Sequence, residues 1–381
     1  MRMILPLLAN AGYVLAVQLL ALLTLNPADF GSFSLFYLAF ALGVSLTLSI
    51  VSEAWVRREN AGEVRAPWDE FARASFSLAM FTSALALSVA LTLEPLRSIA
   101  FTGSAAVLLA TFRTAARYHD VRVGRGVGVA VGDILGLLVT IAGGLMLVTA
   151  IIPTSLESVV LIWGLGSAAS LIATRPFRVF FRSRGMWARN HKQYIGPLLR
   201  DSLLLDAGSI GTPLLLAPLL GLTGFGIYRA ISNVAAPVRL VLNPLRPLIA
   251  ARDRQVLSSV RRVLEVLFVS SLFGALAAGA LVVIGKLPIE LGALSGVAPF
   301  AVPTGLFVAA NFLGHYFYIV CRAHASGNQL MTGRIVQTAT AVLLPVAGFF
   351  LGGLPGAIWG YATCTTISAL VWLRVATLQP K

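Results

Sequence analysis

Residues 225–249, FGIYRAISNVAAPVRLVLNPLRPLI, form an apolar stretch long enough to cross a membrane, yet Arg229 and Arg239 lie within it. A charge in hydrocarbon costs about 2.5–3.5 kcal/mol on insertion scales. Such a residue normally faces a bundle interior or a wet cavity, and it marks a functional site. The stretch therefore raises two questions: what bundle encloses it, and what anion its cations would meet.

The rest of the chain supplies the bundle. Its 381 residues are 57% hydrophobic and 12% charged, whereas a soluble domain carries about a quarter charged residues. Apolar runs of helical length recur near 3–25, 31–53, 74–93, 99–117, 126–150, 156–174, 195–218, 225–249, 263–285, 296–320, 333–351 and 355–374. Each suits a helix across a ~30 Å hydrocarbon core, and the short alternating segments of a β-barrel are absent. The N-terminal run, longer than a signal peptide's apolar region and without a small-residue cleavage site, reads as the first span. The expectation is an all-α membrane protein of twelve transmembrane helices.

The cations orient it. Twenty-five of the 29 Lys and Arg residues fall at one side of the spans, among them Arg57, Arg113, Arg117, Arg252 and Lys381, while only Arg97 and Lys286 fall at the other. This positive-inside pattern puts both termini in the cytoplasm and explains the net charge of +14 without nucleic acid. Arg229 and Arg239 belong to neither side. The basic, aromatic-interleaved segment RPFRVFFRSRGMWARNHKQ at 175–193 reads either as an interfacial stretch on anionic membrane lipids or as an orientation signal alone.

The chain also repeats itself. Shifted by 196, Asn10-Ala11-Gly12 falls on Asp206-Ala207-Gly208; shifted by 195, Phe30-Gly31 falls on Phe225-Gly226 and Arg57 on Arg252. An even number of spans separates the copies, so the halves, 1–190 and 191–381, have the same orientation, as in transporters that rock two parallel repeats.

On a helical wheel Arg229, Asn233, Arg239, Asn243 and Arg246 share an arc of roughly 140°, at about 100° per residue. Arginine is the side chain for phosphate, being permanently charged and a two-pronged donor. Arg229 could instead snorkel to the outer surface; Arg239 is nearer mid-membrane. Asp206 and Asp133, each about two turns into a span, are candidates for holding a coupling ion or for pairing with an arginine. Asn10, Gln18, Asn311 and His315 are further polar groups in spans, equally suited to joining helices. Cys321 and Cys364 sit in apolar runs without metal-ligand spacing, and no metal or cofactor motif is present. GxxxxGK[ST], HExxH and GxSxG are absent, and the outer loops hold no acid–base pair, so neither a nucleotide motor nor an enzyme is indicated.

NPADFGSFSLFYLAFAL at 26–42 and LLGLTGFGIYRAISNVAAPV at 219–238, with the two six-helix halves, resemble the polysaccharide-exporting flippases of the multidrug/oligosaccharidyl-lipid/polysaccharide superfamily. The resemblance implies a MATE-like fold in the bacterial cytoplasmic membrane and a polyprenyl-diphosphate-linked sugar as cargo, moved to the outer leaflet by alternating access for cell-surface polysaccharide biosynthesis. It also implies Na+ or H+ as a coupling ion and contacts with polysaccharide synthesis proteins. It gives Arg229 and Arg239 the diphosphate-binding role; Asn233 and Asn243, on the same arc, and Asn10, on the matching first helix, are the further substrate-binding candidates. The alternatives are an ion-coupled exporter of small molecules and a membrane-embedded enzyme or assembly subunit of envelope synthesis.

Overall fold

A computed structural model describes residues 4–60, 62, 66–174, 184–238, 242, 249 and 252–377, and every regular element among them is helical. The main helices are α1 (Ile4–Thr24), α2 (Pro27–Thr47), α3 (Glu53–Asn60), α4 (Trp68–Thr92), α5 (Ala100–Arg122), α6 (Gly126–Val148), α7 (Leu156–Leu171), α8 (Arg184–Asp206), α9 (Thr212–Val234), α10 (Val260–Ile284), α11 (Ala301–His324) and α12 (Gly327–Thr377). By length and composition, eight helices of the described residues are apolar enough to cross a membrane, and Leu8–Thr24 and Leu156–Leu171 are shorter apolar helices.

Local chemistry sets the ends. Asn26 caps α2: its Oδ1 accepts from the Asp29 backbone N–H at 2.9 Å and its Nδ2 donates to the Asp29 carboxylate at 2.7 Å. Pro27 occupies the first turn, where no amide hydrogen is missed, and Asp29 complements the helix dipole. Ser155 caps α7 by accepting from Ser158 N–H at 3.2 Å. Two of the long apolar stretches are interrupted. Gly221, at φ +65°, breaks α9 ahead of Phe225, and Gly352 with Gly353, at φ +58°, breaks α12. Glycine takes such angles without the penalty of a Cβ. Wider π-helical turns at Leu48–Ser52 and Ala207–Gly211 continue α2 into α3 and α8 into α9.

Two compact units result. The first comprises Met1–Ala21 and Ser32–Asp206; the second comprises Leu22–Gly31 and Ala207–Lys381. In the first, α4 packs on α5, α6 on α7, and α5 on α7. In the second, α11 packs against α10 and α12, and α9 against α12.

The ten-residue arm Leu22–Gly31 is embedded in the second unit. A Cβ added at Gly226 would collide with the Pro27 carbonyl oxygen and lie 3.0 Å from Gly31 N. One added at Gly31 would collide with the Leu222 carbonyl and lie 3.3 Å from Gly226 N. The contact is reciprocal under the 195-residue shift, which carries Pro27 to Leu222 and Gly31 to Gly226. Phe30 and Phe225 beside these glycines are fully buried. On the arm's other flank, a Cβ at Gly292 would lie 2.7 Å from Leu25 O.

Candidate functional site

Of the intramembrane polar residues expected from sequence, Arg239 and Asn243 lie outside the described residues, as do residues 175–183 of the basic segment 175–193.

Asn10 and Asp133 come together in the first unit through an arginine that the charge pattern grouped with the inner loops. α5 runs on to Arg122, so Arg113 is well inside it and only 4% exposed. Its Nη2 donates to Asp133 Oδ1 at 2.5 Å and to Asn10 Oδ1 at 3.0 Å, and its guanidinium lies 4.1 Å from the Tyr13 ring centre. Arg117, one turn further along α5, donates through Nε to Asp133 Oδ2 at 2.9 Å and through Nη2 to the Pro6 carbonyl at 2.8 Å. Tyr13 is fixed in turn by Ser167 Oγ at 2.9 Å. Asp133, 2% exposed, is the eighth residue of α6, which returns from α5 through a short turn. A buried carboxylate is tolerated when paired and hydrogen-bonded, and here each oxygen faces an arginine. Two guanidiniums share one carboxylate, which leaves the cluster with a net positive charge.

The second unit has a matching hairpin. Arg334, the eighth residue of α12 and 7% exposed, donates through Nη2 to Tyr318 Oη at 2.8 Å and through Nη1 to Gln337 Oε1 at 3.3 Å. The Tyr318 ring centre is 5.0 Å from its guanidinium, and Trp372 Nε1 donates to the same Gln337 oxygen at 3.3 Å. Neither Arg113 nor Arg334 stands out in the sequence, because each follows an ordinary inner-side basic pattern; burial distinguishes them.

Arg229 and Asn233 are one turn apart on α9 beyond its break at Gly221, and both are half-buried. Tyr228 beside Arg229 is buried against Tyr361, ring centres 4.9 Å apart. The apolar face of this helix, including Ile231 and Val238, is buried.

Asp206 ends α8 where the chain enters its π-turn, and is 9% exposed. The Ser45 hydroxyl donates to its carboxylate. Among the described residues, Asp206 Oδ2 is buried without a hydrogen-bond partner. One turn earlier on α8, Ser202 Oγ meets Ser49 Oγ at 2.5 Å. Among the described residues no arginine pairs with Asp206, whereas Asp133 holds two. The residue corresponding to Arg113, one turn before the hairpin tyrosine of α11, is Gly314, where a Cβ would already lie 3.3 Å from Ala369. Among the described residues no three His, Cys, Asp or Glu side chains are grouped to hold a metal ion, and Cys321 donates to the Trp372 carbonyl at 3.4 Å.

No family model and no curated protein matches this sequence. Solved structures do. An inward-facing multidrug resistance MATE family transporter of the MOP superfamily aligns over 96% of this chain and 93% of its own, at TM-score 0.66 and 12% identity. The fold is MATE-like. A MATE in complex with MaL6 aligns over 98% and 94% at TM-score 0.59 and 13% identity. The lipid II flippase MurJ, in an inward closed conformation, aligns over 97% and 86% at TM-score 0.58 and 11% identity. A MATE-like chain of apolar helices is a multi-pass membrane protein, and its structural neighbours are transporters and flippases.

Proposed function

We propose that this protein is a flippase that carries a polyprenyl-diphosphate-linked oligosaccharide across a bacterial cytoplasmic membrane for cell-surface polysaccharide synthesis, by alternating access of two parallel halves, 1–190 and 191–381. The observation that carries the reading is Arg229, half-buried with Asn233 inside an otherwise apolar helix. A permanent cation there suits an anionic headgroup and repels a cationic drug. The likeness of the fold to both multidrug transporters and a lipid flippase supports transport, and two arginines within one apolar stretch, Arg229 and Arg239, support an anionic cargo. Arg239 and Asn243, further along the same stretch, complete the proposed diphosphate site. The breaks at Gly221 and Gly352–Gly353 each turn one long apolar stretch into two crossings. With the two shorter apolar helices they support twelve spans and hence both termini on one side, which the charge pattern makes the inner one.

Asp206 is the proposed coupling group. A buried carboxylate with an unused oxygen, hydroxyls nearby and a π-turn at its back is suited to taking up H+ or Na+. Asp133 is committed to Arg113 and Arg117 and serves structure.

The test is transport in proteoliposomes of a fluorescent undecaprenyl-diphosphate sugar. R229A/R239A loses transport at normal protein level, whereas unchanged transport rules the site out. D206N retains lipid binding but no longer responds to an imposed pH or Na+ gradient. A retained response would reassign coupling to another group.

A further inference from the structure

α2 carries Phe33, Tyr37 and Phe40 at spacings that place all three on one helix face. Trp163 of α7 packs among them, with ring centres 5.7 Å from Phe33, 5.9 Å from Tyr37 and 5.7 Å from Phe40. The cluster is closed at one end and open at the other. Phe33 and Trp163 are each 2% exposed, while Tyr37 and Phe40 are half-buried. At the open end α1 contributes Gln18, also half-buried, whose Nε2 donates to Tyr37 Oη at 2.6 Å.

The repeat separates what packing requires from what it does not. Under the 195-residue shift Phe33 becomes Tyr228, which is buried and stacks on Tyr361, itself 4.5 Å from Phe307. Both units therefore hold an aromatic stack at the closed end. Tyr37 becomes Ser232 and Phe40 becomes Ala235, and under the 196-residue shift Gln18 becomes Leu214, which is exposed. The second unit folds the same helix without the open end, so its aromatic and amide groups are not a packing requirement of the repeat.

We propose that Tyr37, Phe40 and Gln18 form a subsite for a sugar ring of the lipid-linked glycan, an assignment that rests on the flippase reading and adds to it. One face of a pyranose presents C–H groups with partial positive charge, which pack on the electron-rich face of an aromatic ring. Its edge presents hydroxyls, which an amide and a phenol match as donors and acceptors. A few placed polar groups on an aromatic wall are the usual make-up of a small-ligand site.

Binding of two fluorescent lipids to the purified full chain tests this: undecaprenyl diphosphate carrying one hexose, and the same lipid without sugar. F40L and Y37A weaken the sugar lipid by about tenfold relative to the bare lipid, and Y37F by about threefold, the scale of one lost aromatic or polar contact. R229A/R239A weakens both lipids alike. Equal changes on the two lipids in the volume-keeping variants F40L and Y37F, or none on either, would overturn the subsite while leaving the flippase reading in place. A wild-type chain that binds neither lipid would remove both.

Discussion

In the first unit Arg117 of α5 meets Asp133, the eighth residue of α6; in the second, Tyr318 of α11 meets Arg334, the eighth residue of α12. The two links have the same spacing of 16 residues, and each closes a helical hairpin across a short turn. Their chemistry is opposite. The first is an ionic lock in which one carboxylate serves two arginines. The second is a cation held by a phenol, an amide and a ring face. Hairpin geometry dictates that something polar must bridge this position, but not its sign. The ionic version depends on a single atom group for its charge balance, while the other spreads its cation over dipoles that tolerate loss of one.

The comparison breaks first at Asp133. D133A leaves buried Arg113 and half-buried Arg117 without a counter-charge and costs about 3–5 kcal/mol, read as a large fall in thermal midpoint in detergent and as early proteolysis of α5–α6. Y318F removes the hydroxyl that accepts from buried Arg334 and, near the surface, from Arg322; the Arg334 bond is worth about 1.5–3 kcal/mol, and the ring under Arg334 stays in place. A Y318F penalty equal to that of D133A would show that the two locks do not differ in kind. N10A removes a neutral acceptor from the charged Arg113, but Asp133 still holds the same Nη2, so the cost is about 1.5 kcal/mol, the low end for a bond to a charged group. The double variant D133A/Y318F, with no shared partner, adds within about 0.3–0.5 kcal/mol, and a larger deviation would mean that the locks are linked.

Much of the architecture was legible in the sequence, because burial in lipid demands apolar runs of fixed length and glycine-bearing turns between them. The Asn-Pro-Ala-Asp start of α2 could be read as a helix entry from its residues alone. The Phe-Gly pairs at 30–31 and 225–226 could be aligned, but their contact could not be foreseen: a repeat shows in sequence, the touching of its copies does not. Asn10 and Asp133 were visible as polar groups in spans. Their common partner was not, since Arg113 lies 103 residues from one and 20 from the other and sits in a run of basic residues that resembles a loop. The charge pattern set Arg229 apart from the loop cations but grouped the buried Arg113 and Arg334 with them, because a helix that extends past its apolar run carries its basic end into the protein interior. The π-turns beside Asp206 and Ser49 leave no residue signature.

The arm Leu22–Gly31 has a consequence for how the chain is made. Synthesis and membrane insertion proceed from the N-terminus, and domains generally fold as they emerge. The first unit can close around its own residues as soon as α8 is inserted. The arm cannot, for the groove that receives it is built from residues near 222–226 and 292, about two hundred residues later in the chain. Throughout that interval the arm waits uncovered, and the second unit stays incomplete until it recovers a segment made well before the rest of it.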